Sequence, residues 1–529
     1  MKKKFNIGNL LALLAFLLPC TVYLLTLSND FAGDTDNLLT AGIIENPSSC
    51  DPKGISHLLW IPLGRLAYRL FSLIPGLHLR GLTTLEIVSA LSGAVTALLF
   101  FRLMAFVTGN LAVSSVTTLF MAFSYMQWLV CTTPKIYPLS GLFLVLSFHL
   151  LLKATGGDRK SVLALAGAQA LAFVSHITNI FFMIPVICGF FLEKRAVADK
   201  FKTSLFYLAA FLIAATAAVS ILIALNLKGI PADEILPNIV QQVKFSTGII
   251  ENARTMVDLP GNTERIAPGR YWSCFLSFIA RDASLQVVLS IFILACMLLS
   301  IIFFRNFAGS SKCVSLSIIW GVATFLILIN TVYGNLNIYT PIFPFWILTG
   351  LAFSVLARTM SISPYEILIR GLMTAVLSLL LGITFVTNLN GYFLPASLGV
   401  RDGYYMPVKY YADFLTSEDT VFCDRQSYPY FTYFTRSRVL GLDLDDQNFP
   451  ALMELIKESL REGKRVLLHL NTNDGGYYSS DGGARARFIT PSDLESIRRR
   501  LAGDFQLVPY RNYSSRDRLL MFRLTAHPR

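Results

Sequence analysis

Apolar runs of about twenty residues recur along most of this chain, separated by short polar stretches. Runs of that length cross a bilayer as helices, because lipid leaves each backbone group to be satisfied within its own segment. The predicted spans are 10–27, 84–107, 111–130, 136–152, 161–177, 178–192, 203–227, 284–304, 313–330, 339–357 and 366–387. The pair 161–177 and 178–192 is short enough to be read also as one bent span plus a re-entrant piece. The pattern changes at residue 388. From there to residue 529, short alternating stretches and Gly/Asp/Ser loops predict a small α/β domain. Its predicted strands are 420–423, 465–470 and 519–524, and its helices are 451–461 and 494–501. The expected fold is thus a polytopic α-helical membrane protein of about eleven spans, 1–387, followed by a soluble α/β domain, 388–529.

Charge placement orients the spans. With the N-terminus in the cytoplasm, Lys153/Arg159/Lys160, Lys194/Arg195/Lys200/Lys202, Arg305/Lys312 and Arg358 all fall on the cytoplasmic side. Outer loops 28–83 and 228–283 and the domain after 388 then lie outside, in a cell inner (plasma) membrane. Lys2-Lys3-Lys4 and the following apolar run read as an uncleaved first span, since no small-x-small cleavage site follows. Within loop 28–83, Leu58 to Leu73 alternates apolar and basic residues and reads as an amphipathic interfacial helix.

Composition agrees: 54% of residues are hydrophobic and only 15% charged. The net charge of +12 lies largely in loops and tail, where it suits topology and contact with anionic membrane lipids. No basic stripe alternates with aromatics, which speaks against nucleic acid as a partner. The eight cysteines form no CxxC pair or ligand cluster, which speaks against zinc or iron–sulfur sites.

Candidate chemistry gathers on the outer face. Asp34 and Asp36, in Gly33-Asp34-Thr35-Asp36, follow the first span closely. Either carboxylate can serve as a general base toward an acceptor hydroxyl, given direct hydrogen-bond reach. The two can instead share a divalent cation such as Mg or Mn, which takes oxygen ligands; no cofactor is otherwise indicated. The competing reading is a hydrated loop with turn-forming aspartates. His57 follows at the same face. Lys135 and Tyr137 sit where spans three and four meet, and a lysine on this side suits an anionic substrate, although snorkelling to headgroups explains it equally. His176 and Asn179 interrupt apolar sequence, as either cavity-facing or packing groups. Arg270, with Arg265 and Arg281, can clamp phosphate. Tyr333 and Asn337 lie in a tight outer turn suited to a sugar. In the tail, Asp424 and Asp474 follow strand ends, where ligands bind in open sheets but where aspartates more often cap turns.

Several of these stretches resemble the GT-C class of membrane glycosyltransferases, in particular the bacterial protein O-mannosyltransferase-like group. Asp34-Thr35-Asp36-Asn37-Leu38-Leu39-Thr40-Ala41 is similar to that group's early outer segment Asp-x-x-Glu-Phe-x-Thr-Ala. His57 with Leu63-Gly64-Arg65-Leu66 resembles its His segment and amphipathic helix. Pro134-Lys135-Ile136-Tyr137-Pro138-Leu139 and Phe173-Val174-Ser175-His176-Ile177-Thr178-Asn179 resemble two later segments. The likeness covers residues 20–190 in motifs and the rest in layout. It implies a polyprenyl-phosphate-linked sugar as donor, a protein or glycan hydroxyl as acceptor, inversion at the sugar, and Asp34 as base. The group's acidic partner aligns with Asn37, so Asp36 is its expected substitute, and the proline-rich stretch after the histidine is replaced by Leu58-Leu59-Trp60. A lipid-linked substrate transporter or flippase, or a noncatalytic membrane scaffold, is the alternative.

Overall fold

The structure is a computed structural model that describes residues 7–29, 36–46, 58–77, 79–154, 158–226, 287, 288, 291, 311–330, 342–360, 366–399, 405–423, 427–441, 449–471, 499–501, 503–512 and 519–526. The chain divides into two compact units: residues 1–27 with 43–394, and residues 28–42 with 395–529.

The first unit is helical. Its elements are α1 (Ile7–Leu25), α3 (Trp60–Ser72), α4 (Gly81–Thr108), α5 (Leu111–Phe123), α6 (Tyr125–Thr132), α7 (Tyr137–Lys153), α8 (Arg159–Ser175), a 3-10 turn (Ile177–Phe182), α9 (Met183–Phe191), α10 (Val197–Asn226), α11 (Ser311–Asn330), α12 (Ile342–Met360) and α13 (Glu366–Asn388). Helix α2 (Asp36–Glu45) contributes its last three residues to this unit and its earlier ones to the second. Local sequence sets the breaks. Gly109 ends α4 in the left-handed region (φ 65°), and its N–H returns to the Ala105 carbonyl. The Asn110 side chain then caps α5 through the amides of Ala112 and Val113, as Asp158 caps α8 through Lys160 and Ser161. Among the described residues, α1, α4, α10 and the helical run 374–397 are long and apolar enough to cross a membrane. Residues 137–153, 177–191, 312–324 and 342–358 are apolar but shorter. The expected span 284–304 lies outside the described residues, apart from isolated positions.

One expected span is not straight. The stretch 111–130 is two helices, α5 and α6, bent by 60° at Ser124, and passes as a span only when both are taken together. Ser124 is extended (φ −61°, ψ 145°), which releases carbonyls from the α-helical ladder. In a bilayer those carbonyls need donors. The Tyr23 hydroxyl supplies one to Ala122 O at 2.7 Å, and Asn388 Nδ2 one to Phe123 O at 3.0 Å. Trp128 of α6 donates to Thr26 and stacks on Phe393 with centroids 4.3 Å apart. The expected span 178–192 likewise is not one straight helix: it starts as the 3-10 turn Ile177–Phe182 before α9.

The basic groups expected in the cytoplasm meet at one end of the bundle. Arg358 donates to Thr108 O at the end of α4 (3.0 Å), and Glu193 after α9 pairs with Arg195 at 2.7 Å and Lys312 at 3.1 Å. Gly189 of α9 lies against Leu151, in the last turn of α7.

The second unit contains a five-stranded sheet of order β2-β1-β3-β5-β4, with β1 (Asp419–Cys423), β2 (Arg438–Gly441), β3 (Arg465–Asn471), β4 (Phe505–Asn512) and β5 (Leu519–Ala526). Strands β2, β1 and β3 are parallel, and β5 runs antiparallel to β3 and β4. Helices α14 (Tyr405–Ala412), α15 (Tyr428–Phe434) and α16 (Phe449–Arg461) complete it. Asp419 and Arg465 face each other where β1 and β3 begin, joined by two hydrogen bonds of 2.5 and 2.6 Å. Asp424 and Asp474 lie outside the described residues.

Candidate functional site

The end of the bundle opposite the basic cluster is where α4, α7 and the amphipathic α3 begin and where α8 and α10 finish. Glu45, the last residue of α2, accepts the Gly81 N–H at 2.7 Å and lies 3.7 Å from Arg80. A carboxylate there offsets the positive end of α4 and satisfies one of its free amides. Helix α3 starts against α8 and α10: Leu59 N–H reaches Val174 O at 3.3 Å, and Asn226 Nδ2 reaches Leu58 O at 3.1 Å. Leu58, Val174 and Leu222 close over this junction. Gly64 lets α3 approach Ile44 and Leu85, which leave no room for a Cβ.

The Lys135 segment is fixed from α4. Ser89 Oγ donates to Lys135 O at 2.8 Å and accepts the Lys135 N–H at 3.1 Å, and two turns on along α4 Thr96 Oγ1 donates to Pro138 O at 3.2 Å. Pro138 suits the first turn of α7, where its missing N–H has no partner to lose. The ammonium of Lys135 is enclosed deeply enough for desolvation to push its pKa down from 10.5 to about 7. Near neutrality it exchanges readily between charged and neutral forms, and an adjacent anion favours the charged one.

The Tyr137 and His176 rings lie 5.3 Å apart at 35°. His176 is buried, and its Nδ1 meets Thr178 Oγ1 at 2.6 Å. Asn179, 1% exposed, spends its side-chain amide hydrogens on Ser140 Oγ (2.6 Å) and Ala172 O (2.7 Å), while its backbone carbonyl accepts from Gln169 Nε2 at 2.6 Å. Asn179 therefore ties α8 to the first turn of α7 and sets where Tyr137 and His176 stand.

Of the expected site residues, Tyr137, His176 and Asn179 come together where α7 begins and α8 ends, and Lys135 stands two residues before α7. Asp36 opens α2, with its side chain outside the described residues, as are Asp34, His57, Arg270, Tyr333 and Asn337 entirely. Among the described residues no three His, Cys, Asp or Glu side chains gather as metal ligands. Sequence reasoning passed over Ser89, Ser140 and Gln169. The signal was present for Ser89: with Ser92 and Thr96 it forms a polar stripe at helical spacing inside an apolar span.

No protein-family model matches this chain, and no curated protein matches it by sequence. Solved structures do match. ArnT from Cupriavidus metallidurans aligns in its apo state with a TM-score of 0.59 at 12% identity, over 98% of both chains. The same enzyme bound to undecaprenyl phosphate aligns at 0.58 and 12% identity over 97% of both. The Archaeoglobus fulgidus oligosaccharyltransferase, in complex with Zn and sulfate, aligns at 0.52 and 14% identity, over 98% of this chain and 72% of that one. This chain has the GT-C glycosyltransferase fold. The GT-C likeness spans both units, so the second unit's residues align along with the helices.

Proposed function

We propose that this protein transfers a sugar from a polyprenyl-phosphate carrier to a hydroxyl acceptor, protein Ser/Thr or glycan, at the outer face of an inner (plasma) membrane. The observation that carries the reading is the GT-C fold over nearly the full length, including a neighbour bound to undecaprenyl phosphate. Lys135, at the start of α7 and so at the end away from Lys153, supports it as the berth for the lipid phosphate. The cations at the opposite end support a cytoplasmic N-terminus and an extracytoplasmic second unit.

In this reading the acceptor oxygen attacks the anomeric carbon as the bond to phosphate oxygen breaks, with inversion. The lipid phosphate leaves with the bonding electrons, and the acceptor proton passes to Asp34. Negative charge grows on the leaving phosphate, so Lys135 and Arg270 stabilise the transition state more than the ground state. Asp36 supports Asp34, His57 and His176 border the phosphate, and Tyr137, Asn179, Tyr333 and Asn337 shape the sugar pocket, Asn179 through the packing described above. Should a divalent cation take part, Asp34 and Asp36 are its ligands and it supplies further charge to the leaving phosphate.

The test is to incubate purified protein with a panel of polyprenyl-phosphate sugars and hydroxyl acceptors, with and without chelator, and to measure released lipid phosphate. Release with at least one donor is expected, and loss of release with chelator assigns the cation. No release and no binding across the panel removes the reading.

A further inference from the structure

We propose that Arg102 and Phe106 of α4, with His149 and Lys153 of α7, form a binding site for the headgroup of an anionic phospholipid, at the basic end of the bundle. The site does not depend on sugar transfer. The four side chains form two i,i+4 pairs on adjacent packed helices, so each pair stands on one face. The Phe106 and His149 rings meet edge to face, with centroids 5.5 Å apart, and Lys153 Nζ lies 6.0 Å from the Phe106 centroid. The charges of Arg102 and Lys153 both act on His149.

The charge of this cluster is not matched by a carboxylate, whereas nearby Arg195 and Lys312 share Glu193. Among the described residues neither Arg102 nor Lys153 meets a carboxylate, and both are exposed. His149 Nδ1 is enclosed without a hydrogen-bond partner. Phe106 is 53% exposed, and the outward face of α7 continues away from the cluster through half-buried Leu142 and Leu146. Two cations above an apolar stripe match a phosphate above acyl chains, and the guanidinium fork suits phosphate oxygens. Basic pockets between spans recognise anionic headgroups in this way. A soluble anion would gain nothing from the exposed ring and leucines, so the ligand is the lipid.

The experiment is native mass spectrometry of the full-length protein in mild detergent, titrated with phosphatidylglycerol or with phosphatidylcholine. Wild type is expected to retain phosphatidylglycerol in preference to phosphatidylcholine. R102Q/K153Q should lose roughly 30-fold in that retention, about fivefold for each cation, while K160Q at the same end should match wild type. Equal retention of the two lipids by wild type overturns the proposal without any variant. So does equal loss in K160Q and the double variant, since that reports only general charge.

Discussion

The Ser89 hydroxyl holds both backbone polar groups of Lys135, donating to its carbonyl at 2.8 Å and accepting its amide N–H at 3.1 Å. A single side chain of α4 thereby fixes the turn that carries this half-buried lysine. Ser89→Ala removes both bonds and leaves two enclosed backbone groups without this partner, a loss of about 1–3 kcal/mol. Thermal unfolding in detergent should show it. Because Lys135 then moves, donor binding should weaken more than acceptor binding, and Ser89→Thr should restore much of both.

Lys135 should give donor affinity a particular pH dependence. Only the ammonium attracts a phosphate, and its pKa stands at about 7. Affinity should therefore fall about tenfold from pH 6 to pH 8, measured by donor titration. Lys135→Arg, charged throughout, should bind with a flat profile, and Lys135→Met should bind weakly at every pH. Stability of the free protein runs the opposite way. The unfolded chain keeps the proton up to 10.5 while the folded chain loses it near 7, so this group makes stability rise with pH across that interval.

The break between α5 and α6 should depend on its two external donors. Asn388→Leu leaves the Phe123 carbonyl without its bond from Nδ2, and Tyr23→Phe does the same at Ala122. Each should lower stability by about 1–3 kcal/mol, read as a shift in thermal midpoint. Unchanged midpoints in both variants would show that the bend is held by packing of Trp128 and Phe393 alone.

Much of this architecture was readable from hydrophobic length alone, since α4, α10, α11 and α13 follow the predicted spans closely. What escaped reading was tertiary. The bend at Ser124 has no Pro or Gly to announce it, and its compensating donors are Tyr23 and Asn388, distant in sequence. In the tail, β2 is four residues long and partly exposed, too short for alternation to register. Strand β4 contains Pro509, which argues against a strand but is tolerated because β4 is an edge and shifts register there. Helix α15, Tyr-Pro-Tyr-Phe-Thr-Tyr-Phe, is made of strand-preferring aromatics and is helical because burial of Tyr430, Phe431 and Tyr433 decides it. At the site, Lys135, Tyr137, His176 and Asn179 stood out as polar interruptions of apolar sequence. Ser140 did not, because a single serine in an apolar span carries no such contrast, whereas Ser89 was legible only through its helical spacing with Ser92 and Thr96.

In the second unit, Asp419 should act as an acid-sensitive clasp. Burial pushes its carboxyl up, but bonds from Arg465 and from the Thr416 backbone outweigh this and hold it below the usual range. Its contribution is present above the ordinary carboxylate pKa and is lost as pH falls through the lowered folded value. Asp419→Asn should cost about 2 kcal/mol, less than for a fully enclosed pair because Arg465 is partly exposed. Limited proteolysis of the tail at neutral pH should report it, and the variant should lose the acid sensitivity of wild type below about pH 4.

Asp34 bears the central claim most directly. Asp34→Asn keeps shape and removes the base, so the variant should bind a polyprenyl-phosphate sugar with wild-type affinity while release of lipid phosphate falls by at least about 100-fold. Release at the wild-type rate from a folded, donor-binding Asp34→Asn protein would contradict the account.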